Sequence, residues 1–280
     1  MTPARFGYLR PDTLAEALAV LAREGEGATP LAGGQSLMPM MAMRMARPAL
    51  LLDLNRLAGL DGVVLDGGTL HIGAMARHAA VLAHPLVAAH APLLPLALRE
   101  VAHPAIRNRG TLGGSLCLAD PAAELPACML ALDATLVLAS AAGERRVAAA
   151  DFFQGLYATD RRADELLVRA EIPLARGWSP WFAETARRHG DYALAGLAMM
   201  ARREGGRIAA LRLAFLGVEA APRRLPAVEA AILAGADAAA LLPGILTPLH
   251  ADEAPAPWRL HLAQALLRRA ITGENTLAAA

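Results

Sequence analysis

Ala32-Gly33-Gly34-Gln35-Ser36 and Thr111-Leu112-Gly113-Gly114-Ser115 each interrupt a strongly apolar stretch with paired glycines followed by a hydroxyl side chain. A diphosphate is held by several converging main-chain N–H groups. Only glycine lets the backbone approach that closely, or take positive φ, without a Cβ clash. One Gly-Gly pair alone reads as an ordinary turn. Two such pairs, each with serine or threonine beside it to add hydroxyl donors, predict two halves of one phosphate cradle.

Outward from the first pair, Thr29-Pro30-Leu31-Ala32 reads as a strand running into the glycines, and Leu37 to Met45 is a methionine-rich segment. Upstream, Asp12 or Thr13 can cap a helix striped by Leu14, Leu18 and Leu21, with Glu16 placed as in a capping box. Ala49 to Leu54 is a further strand, so the opening residues predict a small α/β unit. Val63 to Gly73 is a hairpin, which makes Gly67-Gly68 its turn and not a third phosphate loop. Helical stretches follow around Ala79–Leu82 and Pro92–Val101. Beyond the second glycine loop the middle third reads as mostly β (135–139, 166–173), with one intervening helix from Ala122 to Ala131. Pro173 to Pro180 marks a boundary. After it, apolar runs at 193–200 and 208–218 flank Gly205-Gly206, and helices follow at 227–234 and 258–271, a compact α+β appendage. The tail from Thr272 is expected to fray.

Composition excludes several chemistries. All 27 basic residues are arginine, so there is no Schiff-base, Walker or general-base lysine. Against 26 acidic residues the net charge is +1 and the arginines are scattered, which gives nucleic-acid binding no support. Cys117 and Cys128 form no CxxC pattern, and the eight histidines form no paired motif, so this chain alone builds neither a zinc site nor an iron–sulfur cluster. Any redox cofactor here is organic. Apolar residues reach 55%, yet no run of eighteen is free of charge or proline, which argues against a membrane span. The start Met1-Thr2-Pro3-Ala4-Arg5-Phe6 lacks a secretory pattern, and a cytoplasmic location is expected.

The segment from Val101 to Pro126, VAHPAIRNRGTLGGSLCLADPAAELP, strongly resembles the flavin-binding medium subunit of the molybdenum hydroxylases, the family of xanthine dehydrogenase and aerobic carbon monoxide dehydrogenase. The likeness extends through Ala32 to Leu37, Asp53-Leu54-Asn55, Ile72-Gly73-Ala74 and Arg187 to Ala193, nearly the whole chain in order. It implies an α+β protein: a two-subdomain FAD-binding fold of the p-cresol methylhydroxylase/vanillyl-alcohol oxidase type over residues 1–175 (subdomains about 1–57 and 58–175), then a smaller α+β C-terminal domain over 176–280.

The resemblance also implies which residues hold FAD. Ala32, Gly33, Gly34, Gln35, Ser36 and Leu37, with Thr111, Gly113 and Gly114, would carry the diphosphate. Ser115, Asp120 and Glu124 would lie along the ribityl chain and ring edge; if Pro121 starts a helix, the two acids can share one side, or simply cap it. Leu167 would contact the nucleotide or fill the core, and Tyr192 would cover a flavin face or simply pack. Ala102 would approach the ring through backbone, and His103 beside it is a candidate proton donor. Some relatives place a lysine in the segment matching Phe182-Ala183-Glu184, and this chain has none. The implied partners are a large subunit with a molybdenum cofactor and a small subunit with [2Fe-2S] clusters, in a dimer of heterotrimers. This chain would pass electrons from the clusters to a terminal acceptor. A free-standing flavin oxidoreductase of the same fold is the alternative, but such oxidases usually carry a covalent-flavin histidine or cysteine where Gln35 stands.

Overall fold

The computed structural model describes residues 2–251 and 254–273. Three larger sheets organise it, beside a two-stranded pair of Phe153–Gly155 and Ala158–Thr159. The first is parallel, in the order Gly7–Leu9, Leu50–Asp53, Ala28–Leu31, with helix Leu14–Glu24 burying Ala17, Leu18, Val20 and Leu21. Thr13 caps that helix through Oγ1, and Glu16 reaches back to the N–H of Asp12.

The second sheet is antiparallel, in the order Val63–Asp66, Thr69–Gly73, Leu166–Pro173, Thr135–Ser140, Gly143–Ala148. Gly67 and Gly68, at φ +51° and +86°, close its hairpin in the left-handed conformations such a turn requires. Between Thr69–Gly73 and Thr135–Ser140 the chain is more helical than its sequence suggests. Short helices occupy His78–Ala83, Pro85–His90, Leu93–Glu100, Pro104–Arg107 and Leu112–Leu118 before Glu124–Ala131. Pro121 does not start that last helix. Ala119 turns left-handed at φ +51°, Asp120 Oδ1 accepts from the N–H of Ala122, and the helix begins only at Glu124.

The third sheet is an antiparallel meander, Trp178–Thr185, Ala195–Glu204, Arg207–Leu216. Both its faces are buried, which is why its strands read as continuous apolar runs. Ala198, Met200, Ala214 and Leu216 join the core around helices Leu93–Glu100 and Glu124–Ala131. Leu197, Met199, Leu213 and Phe215 instead meet helices Pro226–Leu233 and Ala256–Thr272. Thr272, where the sequence predicts fraying to begin, instead ends helix Ala256–Thr272 under a Gly273 cap, and the rest of that tail lies outside the described residues. Among those described, no helix is long and apolar enough to cross a membrane.

The methionine-rich segment forms helix Leu37–Ala42. Core packing accounts for Met41 alone at full burial, because Met38, Met43 and Met45 remain exposed.

Candidate flavin site

A cleft of about 440 Å³ lies where the three sheets meet. Its walls are the loop Ala32–Leu37, the strap Ala74–His78, helix Leu112–Leu118 with Thr111, and the segment Asp120–Glu124; Leu166 and Leu167 line it, and the C-terminal domain adds Gly190, Asp191 and Tyr192. Every residue expected to hold FAD lines this one cleft: 32–37, Ala102, Thr111, Gly113, Gly114, Ser115, Asp120, Glu124, Leu167 and Tyr192. His103 is exposed and does not line it.

The two glycine pairs play different parts. In the first, no described residue accepts a hydrogen bond from the main-chain N–H groups of Gly33, Gly34, Gln35, Ser36 or Leu37. Gly34 takes φ +71°, and successive N–H groups bent through a left-handed residue form an anion-binding nest. A hydrogen-bond ladder fixes this loop from behind. Tyr8 donates to Asp53 at 2.5 Å, Asp53 Oδ1 accepts from the main chain and side chain of Asn55, and Asn55 Nδ2 also donates to the carbonyl of Ala32. Arg77 continues the ladder to the segment before Thr111, donating to Asn55 Oδ1 and to the carbonyl of Arg109.

The second pair is not a loop. Gly113 and Gly114 form the first turn of helix Leu112–Leu118, whose N–H groups all have partners: Ala76 O for Leu112, Ala74 O for Gly113, and Thr111 Oγ1 and O for Gly114 and Ser115. This side therefore supplies space rather than main-chain donors. A Cβ on Gly113 would sit 2.6 Å from that of Ala74, whereas Gly114 faces Ala32 across the cleft. The room at Gly33 is taken by the protein itself: a Cβ there would collide with Arg109 O and stand 2.9 Å from Gly110 Cα.

The opposite end of the cleft is acidic. Asp120, Glu124 and Asp191 line it, with Glu184 and Glu100 close enough to Glu124 to act on it. Burial first, then Glu124 and Glu100, pushes the Glu184 carboxyl up to about 8, and its Oε2 is buried without a partner. Burial likewise raises Glu124 to about 7, with Asp120 and Glu100 adding to it against the pull of its own main-chain N–H. A carboxyl whose folded pKa exceeds its unfolded value of 4.5 contributes stability fully present below 4.5 and lost as pH rises through about 8. Glu184→Gln should therefore outlast the parent protein in alkali, by about 1–2 kcal/mol, with the gap closing in acid. Thermal melts across pH check this; parallel curves would contradict it.

Tyr192 is 74% exposed at the mouth, so plain packing does not explain it. Tyr157, held at φ +53°, donates to Asp120 Oδ2 at 3.3 Å beside it. Ala102 also has positive φ, +42°, and is held there by Arg107, which donates to the carbonyls of Val101 and Ala102, while Gly190 packs against Ala102 O. Leu167 both lines the cleft and joins the core. The sequence reading missed His78, Cys117 and Arg161. The last two carry no local signal; Arg77-His78 lies just past the Ile72-Gly73-Ala74 motif, after Met75 and Ala76.

FAD joins two flat, largely apolar ring systems through a diphosphate. The free N–H nest, the glycine-lined gap and the apolar cleft floor fit it.

Comparisons with known proteins agree with that fit. Residues 4–175 match the family described as the FAD binding domain in molybdopterin dehydrogenase, and residues 181–273 match the CO dehydrogenase flavoprotein C-terminal domain. The caffeine dehydrogenase subunit beta of Pseudomonas sp. (strain CBB1) is 42% identical over 82% of this chain and 78% of its own length. Among solved structures, quinoline 2-oxidoreductase from Pseudomonas putida 86 superposes with a TM-score of 0.91 at 40% identity, over 98% of both chains. Carbon monoxide dehydrogenase from Hydrogenophaga pseudoflava gives 0.93 at 36% identity, over 96% of both. The fold is thus that of a FAD-binding domain followed by a flavoprotein C-terminal domain. The chain belongs to the FAD-binding medium subunits of the molybdenum hydroxylases, a family of oxidoreductases.

Proposed function

We propose that this chain is the electron-transfer subunit of a cytoplasmic, heteromeric molybdenum hydroxylase, with residues 1–175 as its FAD-binding domain and 176–280 as its C-terminal domain. The observation that carries the site assignment is the run of unpartnered N–H groups from Gly33 to Leu37, facing the glycine turn of helix Leu112–Leu118. The Gly33–Leu37 N–H groups hold the diphosphate. Gly114 makes room for it, and Gly113 lets the same turn pack directly on Ala74. Thr111 keeps that turn in place through its capping hydroxyl, and Ser115, Asp120 and Glu124 align the ribityl chain and ring edge. Ala102 meets the ring through its backbone, Leu167 packs on the nucleotide, and Tyr192 covers the exposed face.

FAD supplies the redox chemistry, taking electrons from iron–sulfur clusters and handing them to a terminal acceptor. This chain binds and orients it, and no acid–base triad is required of its residues. A large partner with the molybdenum cofactor oxidises the substrate, and a small partner holds the [2Fe-2S] clusters, in a dimer of heterotrimers.

Affinity purification of the tagged chain from its own cells tests this. Two further polypeptides, molybdenum, iron and FAD should elute together. A chain that elutes alone with FAD and turns over a small substrate would overturn this reading for a free-standing flavin oxidoreductase.

A further inference from the structure

His78 is a buried titratable side chain on the cleft wall, 6% exposed. Its main chain donates to Gly110 O at 2.9 Å, and its Nε2 lies 2.9 Å from Thr111 O. A carbonyl can only accept, so Nε2 carries the hydrogen and Nδ1 is a bare acceptor. Among the described residues Nδ1 has no partner. It lies against Gly110, where a Cβ would come within 2.9 Å of it. The carbonyl that His78 grips also receives the N–H of Ser115, and Thr111 Oγ1 caps Gly114. One imidazole therefore touches the hinge on which the whole glycine turn of helix Leu112–Leu118 hangs.

We infer that His78 is a positioning residue for the cofactor: as the neutral Nε2–H tautomer it clamps Thr111 O, and so sets the width of the gap between Gly114 and the Gly33–Leu37 nest. The inference rests on the flavin reading above and extends it to how the site is held open to the right degree.

The clamp works in one protonation state only. A second proton would place an N–H at Nδ1 with no acceptor, beside two cations, Arg107 from helix Pro104–Arg107 and the neighbouring Arg77. Burial first, then those arginines, pushes the imidazole down to about 4, against the pull of the Thr111 bond. An opened clamp returns the ring toward 6.5. The closed form therefore has the lower pKa: closure is fully favoured above 6.5 and weakens as pH falls through about 4.

The test measures FAD affinity and FAD release rate across pH for the full chain, H78Q and H78L. A glutamine Nε2 reaches the same place as the histidine Nε2 and donates without titrating. H78L should bind FAD about tenfold more weakly, the worth of one buried hydrogen bond. H78Q should keep parental affinity. In the parent protein FAD release should accelerate below pH 6.5, by up to about tenfold per pH unit, and in H78Q that acceleration should vanish. Should H78L fail to fold, the parent and H78Q profiles decide alone. Bound FAD whose release is indifferent to pH in the parent, or equally acid-sensitive in H78Q, would overturn the clamp. A parent chain that takes up no FAD would overturn the flavin reading and the clamp with it.

Discussion

Gly33→Val is expected to cost the protein its flavin and much of its stability together. The added Cβ would run into the carbonyl oxygen of Arg109 and the Cα of Gly110, both backbone, so neither can rotate aside. The first loop and the segment leading into helix Leu112–Leu118 would have to part, breaking the Arg77 link between Asn55 and Arg109 that holds them in register. Overpacking against rigid backbone costs about 3 kcal/mol or more. Even alanine brings the same collision, and melting temperature and bound FAD should fall in parallel for both variants.

Gly114→Val should separate those two effects. Its Cβ would meet the Thr111 hydroxyl at 2.8 Å, a group able to turn away, and the methyl of Ala32 at 3.6 Å across the cleft. Inside a helical turn valine is better tolerated than glycine, so the lost cap is offset and stability should change by no more than about 1 kcal/mol. The valine methyls, however, occupy the gap the diphosphate needs, and FAD affinity should drop by about a hundredfold or more. Flavin titration beside a thermal melt reads both. Parental affinity in a folded Gly114→Val would move the diphosphate away from this turn.

That contrast marks how far the sequence was legible. The hairpin at 63–73, the Thr13 cap, the apolar runs of the third sheet and both glycine pairs announced themselves through local pattern, because turns, caps and periodicity are short-range properties. The division of labour between the pairs did not. Both look alike in the chain, yet only the loop at 33–37 keeps its N–H groups free, since the carbonyls of Ala74 and Ala76 and both oxygens of Thr111 satisfy those at 112–115. Gly33 likewise looks like space for a ligand and proves to be space for Gly110. The Tyr8–Asp53 bond and the Glu100–Glu124–Glu184 cluster join residues far apart in sequence, and nothing local reports either. Asp120 and Glu124 were recognisable by resemblance, but the turn at Asp120 that delays the helix to Glu124 depends on a side-chain bond a spacing argument could not reveal.

The central claim is that the Gly33–Leu37 nest and the Gly113-Gly114 turn together hold FAD. The most direct measurement is the visible spectrum of the purified full chain before and after FAD is added, with extraction of the bound cofactor and Gly114→Val in parallel. Stoichiometric flavin is expected in the parent chain, and a folded variant should bind added FAD about a hundredfold more weakly. A folded parent chain that remains colourless at saturating FAD, or a folded variant with parental affinity, would contradict that claim.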